Sequence, residues 1–424
     1  MQVLLTGMGV IAANGRDIPE FEKSLKEGIS GIRYCERMPG PPITPAIGAE
    51  LRPFDLRERV GQYAEPDSPT YRQSLELGLR APLPVQAAIV ASVEAWWRAG
   101  LHEVSPHPER IGLVIAGHNT TTRLQWERHE FFQQNPDYLS PRHALRQLDT
   151  DHLGTLSQIF DLRGEGYVTG GASASGNIGL IQAVRLLRAD VVDACLVCGI
   201  LADPSPMEWQ AFLNLGAMGG QTGEILPAEA CRPFDQAHAG FIFGQGSATV
   251  VLESSDSARR RGRAGLLELR GGSVILHGSA GSDPSREGEA RAMAAALAQS
   301  GLRPQEIGYV NSHGTSTPLG DAVELAALKD VFGDAFYQPW INSTKALTGH
   351  CLHAAGVVEL IATALQVQGG FLHGNPNLVN PIDPAARFCG RSLQRIQVGA
   401  ALSNSFGFGG INTSLVVSLP GPGS

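Results

Sequence analysis

Apolar residues fall in short, dense runs separated by glycine-rich turns, and the spacing of the runs alternates between strand-like and helix-like periods. Residues 3–6 predict a strand, and a helix begins at Ile18-Pro19, where proline suits a first turn. Residues 31–84 are rich in proline and charge without a clean period, which predicts an irregular surface excursion. From Pro84 the pattern V-Q-A-A-I-V-A-S-V-E-A-W-W predicts a buried helix. Residues 111–116 predict a parallel-type strand, followed by a polar insertion to about residue 149. At 167–169 a short strand runs into five small residues, 170–174, and then into a helix with Ile178, Ile181, Val184 and Leu186 as its apolar face. The continuous apolar run 194–200 predicts a central strand. A glycine-punctuated strand follows at 240–253, then a charged connector at 254–263.

The second half has the same grammar. Residues 265–270 predict a strand, 287–300 an alanine-rich helix, and 307–311 a strand entering H-G-T-S-T. Another strand starts at Trp340 and leads through K-A-L-T-G-H into a helix at 354–368, much as the strand at 167–169 leads into its own helix. Residues 398–404 and 412–418 predict two closing strands. Each half is therefore strand-rich α/β with a strand–loop–helix unit at a matching place, which suggests an internal duplication divided into 1–253 and 254–424.

Composition changes this picture only at its edges. The formal charge of −8 and the lack of a run of five basic residues argue against a nucleic-acid surface. No stretch of 18 apolar residues and no positively charged leader are present, so a cytoplasmic chain with reduced thiols is expected. Cys195 and Cys198 form a C-x-x-C, but they lie in the apolar run with no second pair, and core cysteines are the expectation. Residues 7–12, G-M-G-V-I-A, imitate a dinucleotide fingerprint; the next turn, Asn14-Gly15, stands where a phosphate-binding helix would have to begin.

Three segments place chemistry in loops that follow strands, where open α/β sheets bind ligands: Ser173, His313 with Thr315 and Thr317, and Lys345 with His350. Singly, each has a bland reading as a cap, a turn histidine or a surface charge.

The blocks N-S-H-G-T-S-T-P-L-G-D-A-V-E (311–324), N-S-T-K-A-L-T-G-H (342–350) and S-N-S-F-G-F-G-G-I-N (403–412) resemble the signatures of β-ketoacyl-acyl-carrier-protein synthases. T-G-M-G-V (6–10) and C-R-P-F-D…G-F…G-Q-G (231–246) add to the likeness, which runs from the first strand to the last and fits least at 31–84 and 118–150. It implies a thiolase-like five-layer α-β-α-β-α fold of two duplicated halves, a homodimer, and a site where the halves meet. It also implies that His313 and His350 polarise a thioester carbonyl, with Lys345 as the site lysine and Glu359 and Asn404 behind them. Thr315 and Thr317 would hold a pantetheine arm, and Phe408 would gate the site beside Phe406. The N–H groups of residues 173 and 408 would form the oxyanion hole. No cofactor of the chain's own is implied, only the phosphopantetheine of an acyl carrier protein.

The departure is at the nucleophile, where the family has cysteine and this chain has Gly171-Ala172-Ser173. A serine lacks the thiolate that a helix N-terminus gives a cysteine, and it needs a positioned base. Acyl transfer is therefore expected to be poor, whereas decarboxylation of a malonyl thioester needs only enolate stabilisation. This resembles the serine-bearing ketosynthase-like decarboxylases of polyketide β-branching, which supply acetyl-carrier protein to an HMG-synthase-like partner. A chain-length-factor-like subunit, a Ser173-dependent acyltransferase, a single Cys→Ser exchange in an ordinary synthase and a non-catalytic scaffold are the alternatives. Both histidines count against the first. Ser175 breaks a G-x-S-x-G elbow, and Gly170 and Gly171 also depart from the family pattern. Two smaller departures are His353, where glycine is usual, and Gln245 in place of a glutamate expected to be structural.

Overall fold

The computed structural model describes residues 1–38, 46–220 and 225–421. Among these, ten strands form one large sheet: β1 (Val3–Ala12), β2 (Ile111–Ala116), β3 (Gly166–Thr169), β4 (Ala194–Gly199), β5 (Gly246–Ser254), β6 (Leu267–Leu276), β7 (Tyr309–Asn311), β8 (Trp340–Asn342), β9 (Ala400–Gly407) and β10 (Ile411–Ser418). Outward from the middle, one side runs β1-β5-β4-β2-β3 and the other β6-β10-β9-β7-β8. The pairing directions repeat as well. β1–β5 and β5–β4 are antiparallel, β4–β2 and β2–β3 parallel; β6–β10 and β10–β9 are antiparallel, β9–β7 and β7–β8 parallel. The two series join through a short antiparallel contact, Leu4 with Glu268 and Leu5 with Leu267.

Helices complete the layers. α1 (Leu83–Arg98) covers β1 and β5, and α4 (Arg286–Ser300) covers β6 and β10, each on an outer face. α2 (Thr150–Phe160) packs on β2, and α5 (Pro318–Phe332) lies against α4. Two helices lie between the half-sheets and touch strands of both: α3 (Ser175–Arg188) and α6 (Ala355–Gly369). Their position explains their composition. A helix enclosed on all sides needs apolar or small residues all round, and α6 is buried from Ala355 to Val367. α3 is likewise buried at Leu180, Ile181, Ala183, Val184, Leu186 and Leu187, a wider surface than the single face predicted.

α3 and α6 approach each other at two glycines. A Cβ on Gly176 would lie 2.8 Å from the Gly356 nitrogen, and one on Gly356 would lie 2.6 Å from Asn177 Oδ1. Both helices are entered by a single 3-10 turn, Ala172–Ala174 and Leu352–Ala354, whose first residue has a left-handed backbone, φ 48° at Ala172 and 46° at Leu352. The two turns pack against each other.

Several expectations change. β1 continues through the glycine run to Ala12. Gly7 and Gly9 are there because a Cβ at either would land on the backbone of α1 at Ala95 or Ala91, so they set a close strand–helix packing in place of a phosphate loop. The stretch 31–84 holds helices Leu56–Gly61 and Pro69–Gly78, capped by Asp55 and Ser68, and buries Leu51, Leu56 and Val60; 39–45 lie outside the described residues. Its helices are short and half-exposed, too brief to show a period. The polar insertion contains an exposed helix, Thr122–Gln134. The glycine-punctuated segment is extended strand only from Gly246, because Gly240 has φ 120° and Gly244 abuts the backbone at Thr348. Cys195 and Cys198 are buried in β4 with their thiols pushed up by desolvation, as core residues should be. Gln245 is buried, accepting from Leu51 N at 3.0 Å and donating to Asp203 at 3.2 Å. Among the described residues, no helix is long and apolar enough to cross a membrane.

Candidate active site

The loops at the carboxyl ends of β3, β7 and β9, with the turn before α6, converge on a cavity of about 480 Å³. Ser173, His313, His350, Thr315, Thr317, Phe406 and Phe408 all line it. Four segments far apart in sequence thus meet because the two half-sheets place matching strand ends face to face.

Ser173 sits in the turn Ala172–Ala174, held by Ala174 N donating to Gly171 O at 2.9 Å and by Ser175 Oγ, which donates to Ala172 O at 2.7 Å. Gly407, at the end of β9, fits against this turn, and a Cβ there would collide with Gly171 O. The backbone N–H groups of Ser173 and Phe408 make no hydrogen bond within the described residues, whereas Gly409 N is used by Gly281 O at 3.0 Å.

His350 is fixed through its backbone: its N–H donates to Ile242 O at 2.6 Å, and its carbonyl accepts from Gly244 N at 3.0 Å. Its Nε2 lies 2.8 Å from Ser173 Oγ, while Nδ1 is buried with no partner. A buried N–H left without an acceptor costs more than a vacant ring lone pair, so the proton belongs on Nε2. His350 then donates to Ser173 Oγ, and the serine keeps its own proton for an acceptor in the cavity. Phe241 meets the His350 ring edge-on at 5.3 Å.

His313 follows β7, its N–H held by Glu324 Oε1 at 2.8 Å and its carbonyl by Lys345 Nζ at 2.6 Å. The two histidine rings are perpendicular, 5.6 Å between centroids, and Phe406 packs on His313 at 5.5 Å. Desolvation, and after it the Lys345 ammonium, hold both histidines well below the usual imidazole range. They are neutral donors near neutral pH.

Lys345 is not among the residues lining the cavity. It is buried behind His313, in an ion pair with Glu359 of α6, whose other oxygen lies 3.4 Å from Ser405 Oγ. Its reach to the substrate is through its field and through the His313 carbonyl. Asn404 stands one step further back, donating to Glu324 Oε1 at 3.0 Å. Thr315 and Thr317 share a hydroxyl contact of 2.9 Å on the cavity wall.

Sequence reasoning missed Glu324, whose carboxylate takes the N–H groups of both His313 and Gly314 at 2.8 Å and whose pKa is raised by burial to about 7. Its signal was available, since it ends the block that begins at Asn311. His118 was also missed: its Nε2 accepts from Ala172 N at 3.2 Å, and its ring lies 4.8 Å from that of His353. A Cβ on Gly170 would lie 2.9 Å from the His118 ring, which accounts for a glycine at that position. His353 thus meets a second histidine. Among the described residues, no cluster of three His, Cys, Asp or Glu is placed to hold a metal.

Taken together, the cavity offers neutral imidazoles, two free backbone amides and an aromatic wall around a serine. Such a set of donors can stabilise a developing oxyanion.

The chain is similar to known proteins over nearly its whole length. The beta-ketoacyl synthase N-terminal domain matches residues 1–258, and the C-terminal domain of the same family matches 269–379. A polyketide biosynthesis malonyl-ACP decarboxylase, PksF of Bacillus subtilis, is 36% identical over 416 residues, covering 98% of this chain and 96% of that protein. A 3-oxoacyl-[acyl-carrier-protein] synthase 2 of Coxiella burnetii is 28% identical, with 98% of each chain covered. Among solved structures, a beta-ketoacyl synthase from Burkholderia phymatum superposes with a TM-score of 0.85 at 27% identity, covering 99% of this chain and 100% of that one. The chain belongs to the β-ketoacyl synthase family and has its thiolase-like fold.

Proposed function

We propose that this protein decarboxylates malonyl-acyl-carrier protein to acetyl-acyl-carrier protein and does not carry acyl groups on Ser173. The observation that carries this reading is the bond between His350 Nε2 and Ser173 Oγ with Nδ1 unpartnered. A serine nucleophile needs a base with a free lone pair and a third group that orients the base. Here the ring nitrogen facing the serine holds the proton, and the other nitrogen faces nothing. The likeness to a malonyl-ACP decarboxylase over nearly the whole chain supports the same reading.

In the proposed mechanism, the phosphopantetheine arm enters past Thr315 and Thr317. The thioester oxygen takes the N–H of His313 and the Nε2–H of His350, which turns to it from Ser173 Oγ, with the Ser173 hydroxyl and the amides of residues 173 and 408 alongside. The C–C bond to the carboxylate then breaks, carbon dioxide leaves along the Phe406 and Phe408 wall, and its bonding electrons form the enolate. An oxyanion donor in such a site is worth about 3–4 kcal/mol, roughly a hundredfold or more in rate. Burial, and after it the Lys345 ammonium, keeps the histidines neutral, Glu359 holds Lys345 in place, and Asn404 supports Glu324.

The reading extends to a cytoplasmic protein with no cofactor of its own, dividing at 253/254, which serves β-branching beside an HMG-synthase-like enzyme. A homodimer is supported by β3, an edge strand, and by the exposed Trp126, Phe131 and Phe132. The test is the rank order of variants against malonyl-carrier protein. His313→Ala and His350→Ala should each lose at least about a hundredfold, and Ser173→Ala about tenfold or less. A Ser173→Ala variant as inactive as the histidine variants would overturn the reading.

A further inference from the structure

Loss of carbon dioxide leaves an enolate that must gain a proton on carbon, and none of the groups described so far is an acid suited to give one. The histidines are needed as hydrogen-bond donors to oxygen, and Lys345 is spent on Glu359 and the His313 carbonyl. Of the other carboxyls on the cavity wall, Asp203 pairs with Arg123, Glu208 takes the N–H of Ser205 at the start of its own helix and Asp283 is exposed, which leaves Glu289 without a role.

Glu289 lies in the first turns of α4 and lines the same cavity as His313, Glu324, Phe408 and Asn412. It is 1% exposed, and its Oε2 is buried without a partner. Glu324 is its electrostatic neighbour, and the two carboxyls differ in their surroundings. Glu324 accepts three hydrogen bonds, from His313 N, Gly314 N and Asn404 Nδ2, which favour its anion. Glu289 receives none in the described structure. Burial first, and then the Glu324 charge, push its carboxyl well above the ordinary range. Where two buried carboxyls are driven apart in this way, the unsolvated one keeps its proton at neutral pH.

We propose that Glu289 is the acid that protonates the acetyl enolate. This rests on the decarboxylase reading above. The C–C bond of the malonyl group breaks, its electron pair forms the enolate, and the enolate carbon takes the Glu289 proton. The products are an acetyl thioester, carbon dioxide and the Glu289 carboxylate, which recovers a proton from water at the cavity mouth. A condensing enzyme directs the same enolate at an acyl group and has no use for an acid here, so the residue belongs with the loss of acyl transfer.

The experiment supplies isotopically labelled carbon dioxide during turnover of malonyl-carrier protein by the wild type, Glu289→Gln and Glu289→Asp. Without its acid, the enolate lives long enough to recapture carbon dioxide. Glu289→Gln is expected to form acetyl-carrier protein at least about tenfold more slowly, with label appearing in the unreacted malonyl group. Glu289→Asp, which keeps an acid, should recover part of the rate and lower the label. An unchanged rate, or a slower rate with no returned label, overturns the assignment, since damage to packing slows bond breaking without prolonging the enolate. A wild type that leaves malonyl-carrier protein intact would instead sink the decarboxylase reading itself.

Discussion

Removing the Lys345 ammonium should destabilise the protein through the charge it leaves behind. Lys345 and Glu359 have side chains 1% and 2% exposed and pair with each other at the centre of the molecule. Replacing Lys345 with methionine keeps most of the side-chain volume and leaves Glu359 buried without its counter-ion. Breaking a buried pair from one side costs about 3–5 kcal/mol. Glu359→Gln should cost a similar amount for the opposite charge. The double variant, with no buried charge left, should recover most of either loss, giving a coupling of about 2 kcal/mol or more. The penalty also has a defined pH dependence. The Glu359 carboxyl is already pushed up by burial, and without Lys345 it rises further. A carboxyl raised in the native state binds a proton there that the unfolded chain releases near pH 4.5, so its contribution is present at low pH and lost as pH rises. The Lys345→Met deficit should be smallest near pH 4–5 and should grow toward neutrality. Urea denaturation midpoints across that range, for the two single variants and the double, provide the assay. A Lys345→Met variant within about 1 kcal/mol of wild type, or a double variant that loses the sum of the two singles, would refute the reasoning.

Three further outcomes follow from the same packing. Gly356→Ala should lose about 1–3 kcal/mol despite alanine's better helix propensity, because its Cβ would lie 2.6 Å from Asn177 Oδ1; a chemical denaturation curve measures this. His353, its pKa lowered by burial from 6.5 to about 4, stays neutral in the native state while the unfolded chain protonates. Native stability therefore falls as pH drops from 6.5 to 4, and His353→Gln should remove about 3 kcal/mol of that fall, visible as a flatter stability–pH curve. Ser173→Cys should create a thiol that iodoacetamide alkylates faster than any native cysteine, since five of the six are buried; peptide mapping locates the label.

The sequence was most informative where chemistry is written in short contiguous blocks. His313, Lys345 and His350 stood out because each follows a strand, and the resemblance of their blocks to a known family is what implied roles for them and for the Phe406–Phe408 loop. The duplication was visible only as a resemblance between two strand–turn–helix units. Its full form, the same strand order twice and matched left-handed residues at Ala172 and Leu352, exists in space and leaves little trace in residue identity. Gly7 and Gly9 imitated a nucleotide fingerprint that Asn14-Gly15 already argued against, and only α1 shows which close backbone approach they serve. Lys345 was placed in the site, but its partner lies fourteen positions on, at the other side of a turn, and draws it away from the cavity. Glu289 was illegible for a different reason. A glutamate near the start of an alanine-rich helix reads as an ordinary first-turn acid, and its lack of a partner is a fact of three dimensions.

The central claim is that carbon dioxide is lost from the carrier-bound malonyl group while Ser173 is never acylated. Intact-mass spectrometry of both proteins in one quenched turnover mixture tests it most directly. The expected result is a carrier protein lighter by one carbon dioxide and an enzyme of unchanged mass at every time point. An acyl adduct on the enzyme, or a carrier protein that keeps its malonyl group, would contradict it.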